Sequence, residues 1–148
     1  MKEKQILFLC VGNTCRSPMA EFICKRKAKL YNIHSLKIIS AGFCVDMHSH
    51  LNRYTEQCLL EANFDIENFI PKQIGHQMLC DSDIIFCMTK NQKRMLEDVY
   101  TGIYSSVDFI GRDIEDPWGE GLEAYKFVYS QIEEVCDKLL QKIQENKL

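Results

Sequence analysis

The stretch that decides the fold runs from Gln5 to Pro18 and reads QILFLCVGNTCRSP. It opens with the apolar run QILFL, which is typical of a strand buried on both faces of a parallel sheet. It ends with Ser17-Pro18, where serine is a good helix N-cap and proline suits the first helical position. A buried strand, a short loop and a helix are therefore predicted in direct succession, as in α/β proteins.

The rest of the chain continues this alternation of strands and helices. Short apolar runs predict further strands over 36–41, 84–88 and 107–110, and apolar spacings of three or four predict helices over 52–62, 90–100 and 122–143. We predict one domain over residues 1–148, with a four-stranded parallel sheet covered by helices on both faces, a flavodoxin-like three-layer α/β/α architecture. Right-handed crossovers would bring loops 10–17 and 111–121 to the same sheet edge, where open sheets bind ligands.

Composition excludes several classes of protein. The 148 residues are 46% hydrophobic and include only 3 prolines and 7 glycines, which excludes a disordered or collagen-like chain. The net charge of -3 is too balanced for a surface that binds nucleic acid or membranes broadly. The basic cluster at residues 25–29 is predicted to be a solvated helix face. Without a long apolar run or a secretory signal, we expect a cytoplasmic protein that has no nucleic-acid or membrane partner.

The eight cysteines form no CxxC pair. A secreted disulfide scaffold would be shorter and richer in loops. In a reducing compartment most of these thiols would be small buried residues, with one or two of them reactive. A metal site at Cys44, His48 and His50 lacks a matching second half, so no metal and no cofactor is predicted.

The loop between the first strand and helix holds the chemistry. Cys10 and Arg16 face one centre if the loop curls, and Gly12 and Asn13 tolerate the left-handed backbone that a curl needs. Inward-pointing N–H groups and the helix dipole would then bind an oxyanion, and Arg16 would add a bidentate hydrogen bond to it. The same positive potential would favour the thiolate form of Cys10. The alternative is that Cys10 only ends a strand and Arg16 makes a surface ion pair. A Walker-type loop is excluded, because the Gly-Lys-Ser/Thr ending is missing.

The segment CVGNTCRSPMAE, residues 10–21, resembles the signature of the low-molecular-weight protein tyrosine phosphatases, Cys-x5-Arg-Ser. The resemblance continues through Ser40-Ala41-Gly42, the segment DIIFCMT at 83–89 and DPWG at 116–119. It implies an enzyme that hydrolyses phosphotyrosine in protein substrates, in which Cys10 is the nucleophile and forms a cysteinyl-phosphate. Arg16 and the loop amides would hold the phosphate, and Asp116 would be the general acid. Spacing alone does not separate Asp116 from Asp113 or Glu115; the Asp-Pro match does.

Other residues in and near the two loops also have expected roles, and the resemblance supplies the role of Asn13 and the second of the two roles of Ser17. Asn13 would brace the loop, and Ser17 would either cap the helix or donate a hydrogen bond to Cys10. Cys15 would form a reversible protective disulfide with Cys10. Trp118 is expected to be a wall of the cleft, while Tyr125 is expected in the core. The full predicted substrate-binding set is Val11, Gly12, Asn13, Thr14, Cys15, Ser17 and Trp118.

The sequence departs from the family pattern at two places, and it is compatible with three alternative functions. Many relatives carry a histidine where Phe69 aligns, and the stretch after Gly42 lacks the usual Gly and Pro. Thr14 resembles the loop of the bacterial protein-arginine phosphatases, so phosphoarginine is the alternative substrate. Less favoured are a thioredoxin-coupled arsenate reductase, which would need exposed thiols such as Cys80 and Cys87, and a catalytically silent phosphate-binding module. We expect a monomer or a weak homodimer.

Overall fold

The computed structural model describes residues 3–100 and 113–145 with their side chains, and residues 106–109 as backbone. The elements follow in the order β1 (Lys4–Cys10), α1 (Arg16–Leu30), β2 (Leu36–Gly42), α2 (Arg53–Glu61), α3 (His76–Asp81), β3 (Ile84–Cys87), α4 (Lys90–Val99), β4 (Ser106–Phe109) and α5 (Leu122–Gln144). The strands pair in the order β2-β1-β3-β4, and every pairing is parallel. The prediction of a single α/β domain with a parallel sheet is confirmed.

The central position of β1 follows from its sequence. Its apolar residues alternate between two buried clusters, with Ile6 and Phe8 in one and Leu7 and Leu9 in the other. The first cluster is completed by α1, α2 and α5, and the second by Leu79 of α3 and Leu96 of α4. Helices therefore cover both faces of the sheet, and only a strand that is apolar throughout fits between them.

The long C-terminal helix packs on α1 through one apolar stripe. Its buried residues recur every three or four positions, and they are Tyr125, Val128, Ile132, Val135, Cys136, Leu139 and Leu140. Each large side chain buried in this way stabilises the fold by about 1.5–3 kcal/mol. On the facing helix, Lys25 and Lys29 are exposed as predicted, whereas Arg26 lies over the Phe64 ring and Lys27 pairs with Asp137.

Most element ends lie within one residue of the sequence-based prediction, and three differences need comment. The first helix begins at Arg16 after Cys15, so Ser17 lies inside the helix and is not its N-cap. The six-residue helix α3 was not predicted, because it is too short to show a helical period. The fourth strand ends at Phe109, and Ile110 of the predicted strand lies outside the described residues. In the described part of the chain no helix is long and apolar enough to span a membrane.

Candidate active site

The loop between β1 and α1 curls at one residue. Asn13 has a φ of 55°, in the left-handed region that asparagine tolerates. Gly12, which would also tolerate this conformation, does not adopt it, because its φ is not positive. One left-handed residue is enough to turn the chain between the last residue of the strand, Cys10, and the first residue of the helix, Arg16.

Backbone contacts from neighbouring segments fix the outside of the loop. The amides of Phe43 and Cys44 donate to the carbonyls of Cys10 and Val11 at 3.0 and 2.9 Å, and the amide of Asn52 donates to Thr14 at 3.0 Å. The backbone comes so close at Gly42 that a Cβ there would lie 2.6 Å from the Val11 carbonyl oxygen. Sequence reasoning treated Gly42 only as a strand end. Its signal was the Ser-Ala-Gly match, but the match gave no physical reason for a glycine.

The Cys10 thiol is 3% exposed and lies 2.8 Å from the Ser17 hydroxyl. Ser17 also reaches the Ala41 carbonyl at 3.3 Å. Of the two roles left open for Ser17, the helix cap is excluded because the N-cap of α1 is Cys15 and Ser17 is the second residue of the helix. The serine hydroxyl instead contacts the sulfur of the predicted nucleophile.

Asn13 holds the loop from the inside and is completely buried. Its Nδ2 donates to Ser17 at 2.8 Å and to Ser40 at 3.0 Å, and its Oδ1 accepts from the Lys72 amide at 2.9 Å. The Ser40 hydroxyl donates in turn to Glu21 at 2.8 Å. Sequence reasoning missed Ser40, Glu21 and Lys72. The available signal was Glu21, an acidic residue on the buried side of an otherwise apolar helix stretch.

Phe69 lies where many relatives are expected to carry histidine. Its ring packs 5.7 Å from the ring of Phe22, and the Lys72 ammonium lies 5.0 Å from its centroid. The Lys72 backbone amide, rather than a side chain at position 69, satisfies the Asn13 oxygen. The loop is therefore braced without a histidine.

Arg16 is buried, with 4% exposure, so it does not make the surface ion pair of the alternative interpretation. Its Nη1 donates to the Ile114 carbonyl at 2.9 Å, and its Nη2 lies 3.7 Å from Asp116 Oδ2. A guanidinium fixed at the helix start and held from behind by a carbonyl is pre-organised for a planar oxyanion. It also links the two loops that the topology brings to one edge. Gly111 and Arg112 of the second loop lie outside the described residues.

The three candidates for the general acid in the second loop have different surroundings. Asp113 accepts from the Lys90 amide at 2.9 Å, at the start of α4, and Glu115 is exposed. Asp116 faces Arg16, accepts from the Trp118 amide at 3.1 Å, and its side chain is 51% exposed. Asp116 is the acidic side chain of this loop that faces Arg16 while remaining open to an incoming molecule.

A cleft of about 480 Å³ is lined by Trp118, two residues after this carboxylate, and by residues of α2 and α5. Trp118 is 79% exposed on one side of it, and Tyr125, which is buried, lies at its base with its ring 5.2 Å from that of Tyr54. Burial, with smaller contributions from Cys15, Asp116 and Tyr54, raises the pKa of Tyr125 to about 12. Tyr125 is therefore a neutral phenol at physiological pH, and Trp118 offers a flat aromatic face to whatever enters the cleft.

Cys15 is buried beneath the same loop. Burial raises the pKa of its thiol to about 12, and the nearby Thr55 hydroxyl offsets this only in part. Cys15 is therefore a neutral thiol at physiological pH. All eight cysteines are free.

The shuttle thiols of an arsenate reductase are not well placed in this chain. Cys80 is exposed on α3, but Cys87 is fully buried in β3 and cannot move to meet a partner without opening the sheet. Among the residues that the structure describes, no group of three or more His, Cys, Asp and Glu side chains is placed to hold a metal ion.

A buried thiol at a strand end, a curled loop at a helix start, and a guanidinium that joins the loop to an exposed carboxylate define a class of protein. This arrangement is the one expected of a cysteine-based phosphatase, in which a phosphate-binding loop carries a cysteine nucleophile and a nearby carboxyl group serves as the acid. The chain belongs to the low molecular weight phosphotyrosine protein phosphatase family, whose model matches residues 5–148. It is accordingly a phosphoric monoester hydrolase.

Individual relatives support this membership. The chain is 32% identical to the low molecular weight protein-tyrosine-phosphatase PtpB of Staphylococcus haemolyticus, over 91% of this chain and 96% of that protein. It is 25% identical to the protein-arginine-phosphatase of Bacillus subtilis, over 96% and 98%. A solved low molecular weight protein tyrosine phosphatase from T. tengcongensis is 31% identical and superposes with a TM-score of 0.87, over 95% of this chain and 99% of that one.

Proposed function

We propose that the enzyme removes phosphate from phosphotyrosine in proteins through a cysteinyl-phosphate intermediate. The Cys10 thiolate attacks phosphorus, a P–S bond forms, and the P–O bond to the phenol breaks. The loop amides of residues 11–15 and the Arg16 guanidinium hold the three equatorial oxygens, whose charge rises in the transition state.

Asp116 completes both steps as the proton carrier. In the first step it gives its proton to the departing phenolic oxygen. In the second it accepts a proton from the water that attacks phosphorus, so that the P–S bond breaks and Cys10 returns as a thiolate. The observation that carries the proposal is the Arg16 side chain, which lies at the end of the phosphate loop, where α1 begins, and faces Asp116 at 3.7 Å.

The cleft suits a flat ring attached to the bound phosphate. Trp118 and Tyr54 supply aromatic faces on its walls, and aromatic pairs stabilise such contacts by about 0.5–1.5 kcal/mol each. The decisive experiment compares turnover of one peptide carrying either phosphotyrosine or phosphoarginine. Faster turnover of the phosphotyrosine peptide is expected, and the reverse ranking would assign the enzyme to the alternative.

That alternative is a protein-arginine phosphatase with the same mechanism. Two observations favour it: Thr14 in the middle of the loop, and a relative named protein-arginine-phosphatase that matches almost the whole chain. A planar phosphoguanidine carries N–H donors, and the Thr14 hydroxyl is an acceptor that an aliphatic side chain would not supply.

The cellular setting is also a matter of proposal. Eight free thiols suit a reducing compartment, and we infer a cytoplasmic enzyme that acts as a monomer or weak homodimer on phosphorylated proteins. Sedimentation of the purified enzyme at micromolar concentration tests the oligomeric state directly.

A further inference from the structure

A chain of buried hydrogen bonds leads from the nucleophile to a charged pair at the surface. It passes from Cys10 to Ser17, Asn13, Ser40 and Glu21, with successive distances of 2.8, 2.8, 3.0 and 2.8 Å. Glu21 ends it, because its other oxygen pairs with the Lys25 ammonium at 2.9 Å. The Glu21 side chain is 8% exposed, whereas that of Lys25 is 51% exposed.

The direction of each hydrogen bond follows from the ends of the chain. A carboxylate only accepts, so Ser40 must give its single proton to Glu21 and can only accept from Asn13. The Lys72 backbone amide only donates, so it faces the Asn13 oxygen and leaves the Asn13 nitrogen for the two serines. Ser17 therefore also accepts from Asn13.

The consequence falls on the Ser17 proton. Because Asn13 already donates to this hydroxyl, the proton must point elsewhere, and the two remaining acceptors are the Cys10 sulfur at 2.8 Å and the Ala41 carbonyl at 3.3 Å. A hydrogen bond to a charged acceptor is about twice as strong as one between neutral groups. When the Cys10 thiolate forms, it therefore accepts the hydrogen bond of the Ser17 hydroxyl in preference to the Ala41 carbonyl.

We propose that Glu21 is a positioning residue: its acceptor-only carboxylate, acting through Ser40 and Asn13, keeps the Ser17 hydroxyl aimed at the Cys10 sulfur as a donor. The Lys25 ammonium pairs with the outer oxygen of this carboxylate, and the inner oxygen accepts from Ser40. Glu21 and Lys25 line a surface cavity of about 230 Å³, and the other charged residues that line it are Asp65 and Lys72. This inference rests on the proposed role of Cys10 as the nucleophile.

The substitution Glu21→Gln tests the donor-to-acceptor direction of this hydrogen-bond chain, because Lys25 fixes the orientation of the new side-chain amide. The Lys25 ammonium can only donate, so it takes the amide oxygen and leaves the amide nitrogen facing Ser40. Ser40 then accepts a hydrogen bond from the new amide, where it formerly donated one to the carboxylate. Its own hydroxyl proton now faces the Asn13 nitrogen, so that two donors oppose each other. We expect the rate of Cys10 alkylation by iodoacetate at pH 6 to fall about threefold to tenfold, with its pH profile moved to higher pH.

The second substitution is the matched control. Lys25→Met alone keeps the carboxylate and should keep the wild-type alkylation rate. Added to Glu21→Gln, it frees the amide oxygen to face Ser40 and should restore much of the lost rate. In a Ser17→Ala background, Glu21→Gln should change the rate no further, because the donor that it acts through is gone.

The measured quantity is the amount of alkylated Cys10 peptide in a mass spectrum, because Cys44 and Cys80 are exposed and would be alkylated as well. The melting temperature of each variant is recorded alongside. This reading does not depend on substrate turnover, so failure of the proposed function would leave it intact. A wild-type rate for Glu21→Gln, no recovery in the double variant, or an undiminished effect in the Ser17→Ala background would each overturn the proposal. If Glu21→Gln does not fold, Ser40→Ala interrupts the hydrogen-bond chain by removing one oxygen and should also lower the rate of Cys10 alkylation. A wild-type alkylation rate in Ser40→Ala would then overturn the proposal.

Discussion

The Arg16 guanidinium lies 3.7 Å from the Asp116 carboxylate, with Nη2 facing Oδ2, although one residue begins the first helix and the other lies in the loop before the last. The two side chains are unequal partners. Arg16 is buried and fixed by the Ile114 carbonyl at 2.9 Å, whereas half of the Asp116 side chain is open to solvent. A half-exposed contact at this distance adds little stability, and in the proposed mechanism its role is to position the proton carrier Asp116 beside the phosphate loop.

Asp116→Asn should slow turnover most for substrates with poor leaving groups. A basic leaving oxygen needs a proton as the P–O bond breaks, and general acid catalysis contributes about 10²–10⁴-fold, whereas a weakly basic oxygen leaves unaided. The measurement is kcat for a series of aryl phosphates that differ in leaving-group pKa. Asp113→Asn is the matched control and should leave the series unchanged, because Asp113 is engaged with the Lys90 amide. An equal loss across the series for Asp116→Asn would assign the acid to another residue.

Cys10→Ser should abolish hydrolysis of p-nitrophenyl phosphate while leaving phosphate-analogue binding intact. A serine hydroxyl is a far weaker nucleophile than a thiolate, but it leaves the loop amides and Arg16 in place to hold the anion. The checks are steady-state turnover and calorimetric titration with a phosphate analogue. Turnover in the wild-type enzyme should survive a chelator, and the mechanism is wrong if it does not or if the serine variant remains active.

Gly42→Ala should damage the site through the backbone. The new Cβ would lie 2.6 Å from the Val11 carbonyl oxygen and 2.8 Å from the Asn13 amide nitrogen, so either the loop or β2 must shift. We expect a destabilisation of about 1–3 kcal/mol together with a large loss of kcat. Gly75→Ala is the control, since no atom lies within 4 Å of a Cβ there. Urea unfolding and turnover measured on both variants check this, and similar behaviour of the two would refute it.

The parts of this fold that depend on local pattern were predictable, and the parts that depend on contacts between distant segments were not. The run QILFL specified a doubly buried strand, and the spacing of residues such as Ile132 and Leu139 specified the last helix. Both signals are properties of neighbouring residues. The six-residue helix α3 has no such signal, because two turns cannot display a period.

The candidate site divides in the same way. Cys10 and Arg16 are close in sequence, so their loop could be recognised directly. The close approach at Gly42 and the bond from Ser40 to Glu21 join separate elements, and they emerge only when β2 is packed beside the loop. The local pattern alone indicated Ser17 as a helix cap, because capping is the local use of a serine before proline. The resemblance offered the contact with Cys10, and that tertiary contact is the one the structure shows.

Mild peroxide should inactivate the enzyme reversibly through a Cys10–Cys15 disulfide. Peroxide converts the Cys10 thiolate to a sulfenic acid, and the Cys15 thiolate then attacks that sulfur and releases hydroxide. Because the pKa of Cys15 is raised to about 12, its thiolate fraction at neutral pH is small and grows about tenfold per pH unit up to that value. The disulfide should therefore form faster at pH 9 than at pH 7 after the same oxidation.

The test for this disulfide is mass spectrometry of the Cys10 and Cys15 peptides before and after treatment with a dithiol. Cys15→Ser should lose reversibility while retaining turnover of an aryl phosphate before oxidation. If Cys10 accumulates only as a sulfonic acid in the wild-type enzyme, Cys15 has no protective role.

Thr14→Ile should lower phosphoarginine turnover relative to phosphotyrosine turnover. Thr14 lies half-buried in the middle of the phosphate loop, with its carbonyl held by the Asn52 amide at 3.0 Å, so the substitution changes the side chain without releasing the backbone. A planar phosphoguanidine brings N–H donors into the cleft, and an isoleucine would leave a donor unpaired at a cost of about 1–3 kcal/mol, or roughly fivefold to a hundredfold in the turnover ratio. The flat apolar face of a phenol loses nothing against isoleucine. Thr14→Ser is the matched control, because it keeps the hydroxyl and should keep the ratio. The measurement is kcat/KM for one peptide sequence carrying either modification, and a ratio that Thr14→Ile does not move would show that Thr14 does not select the substrate.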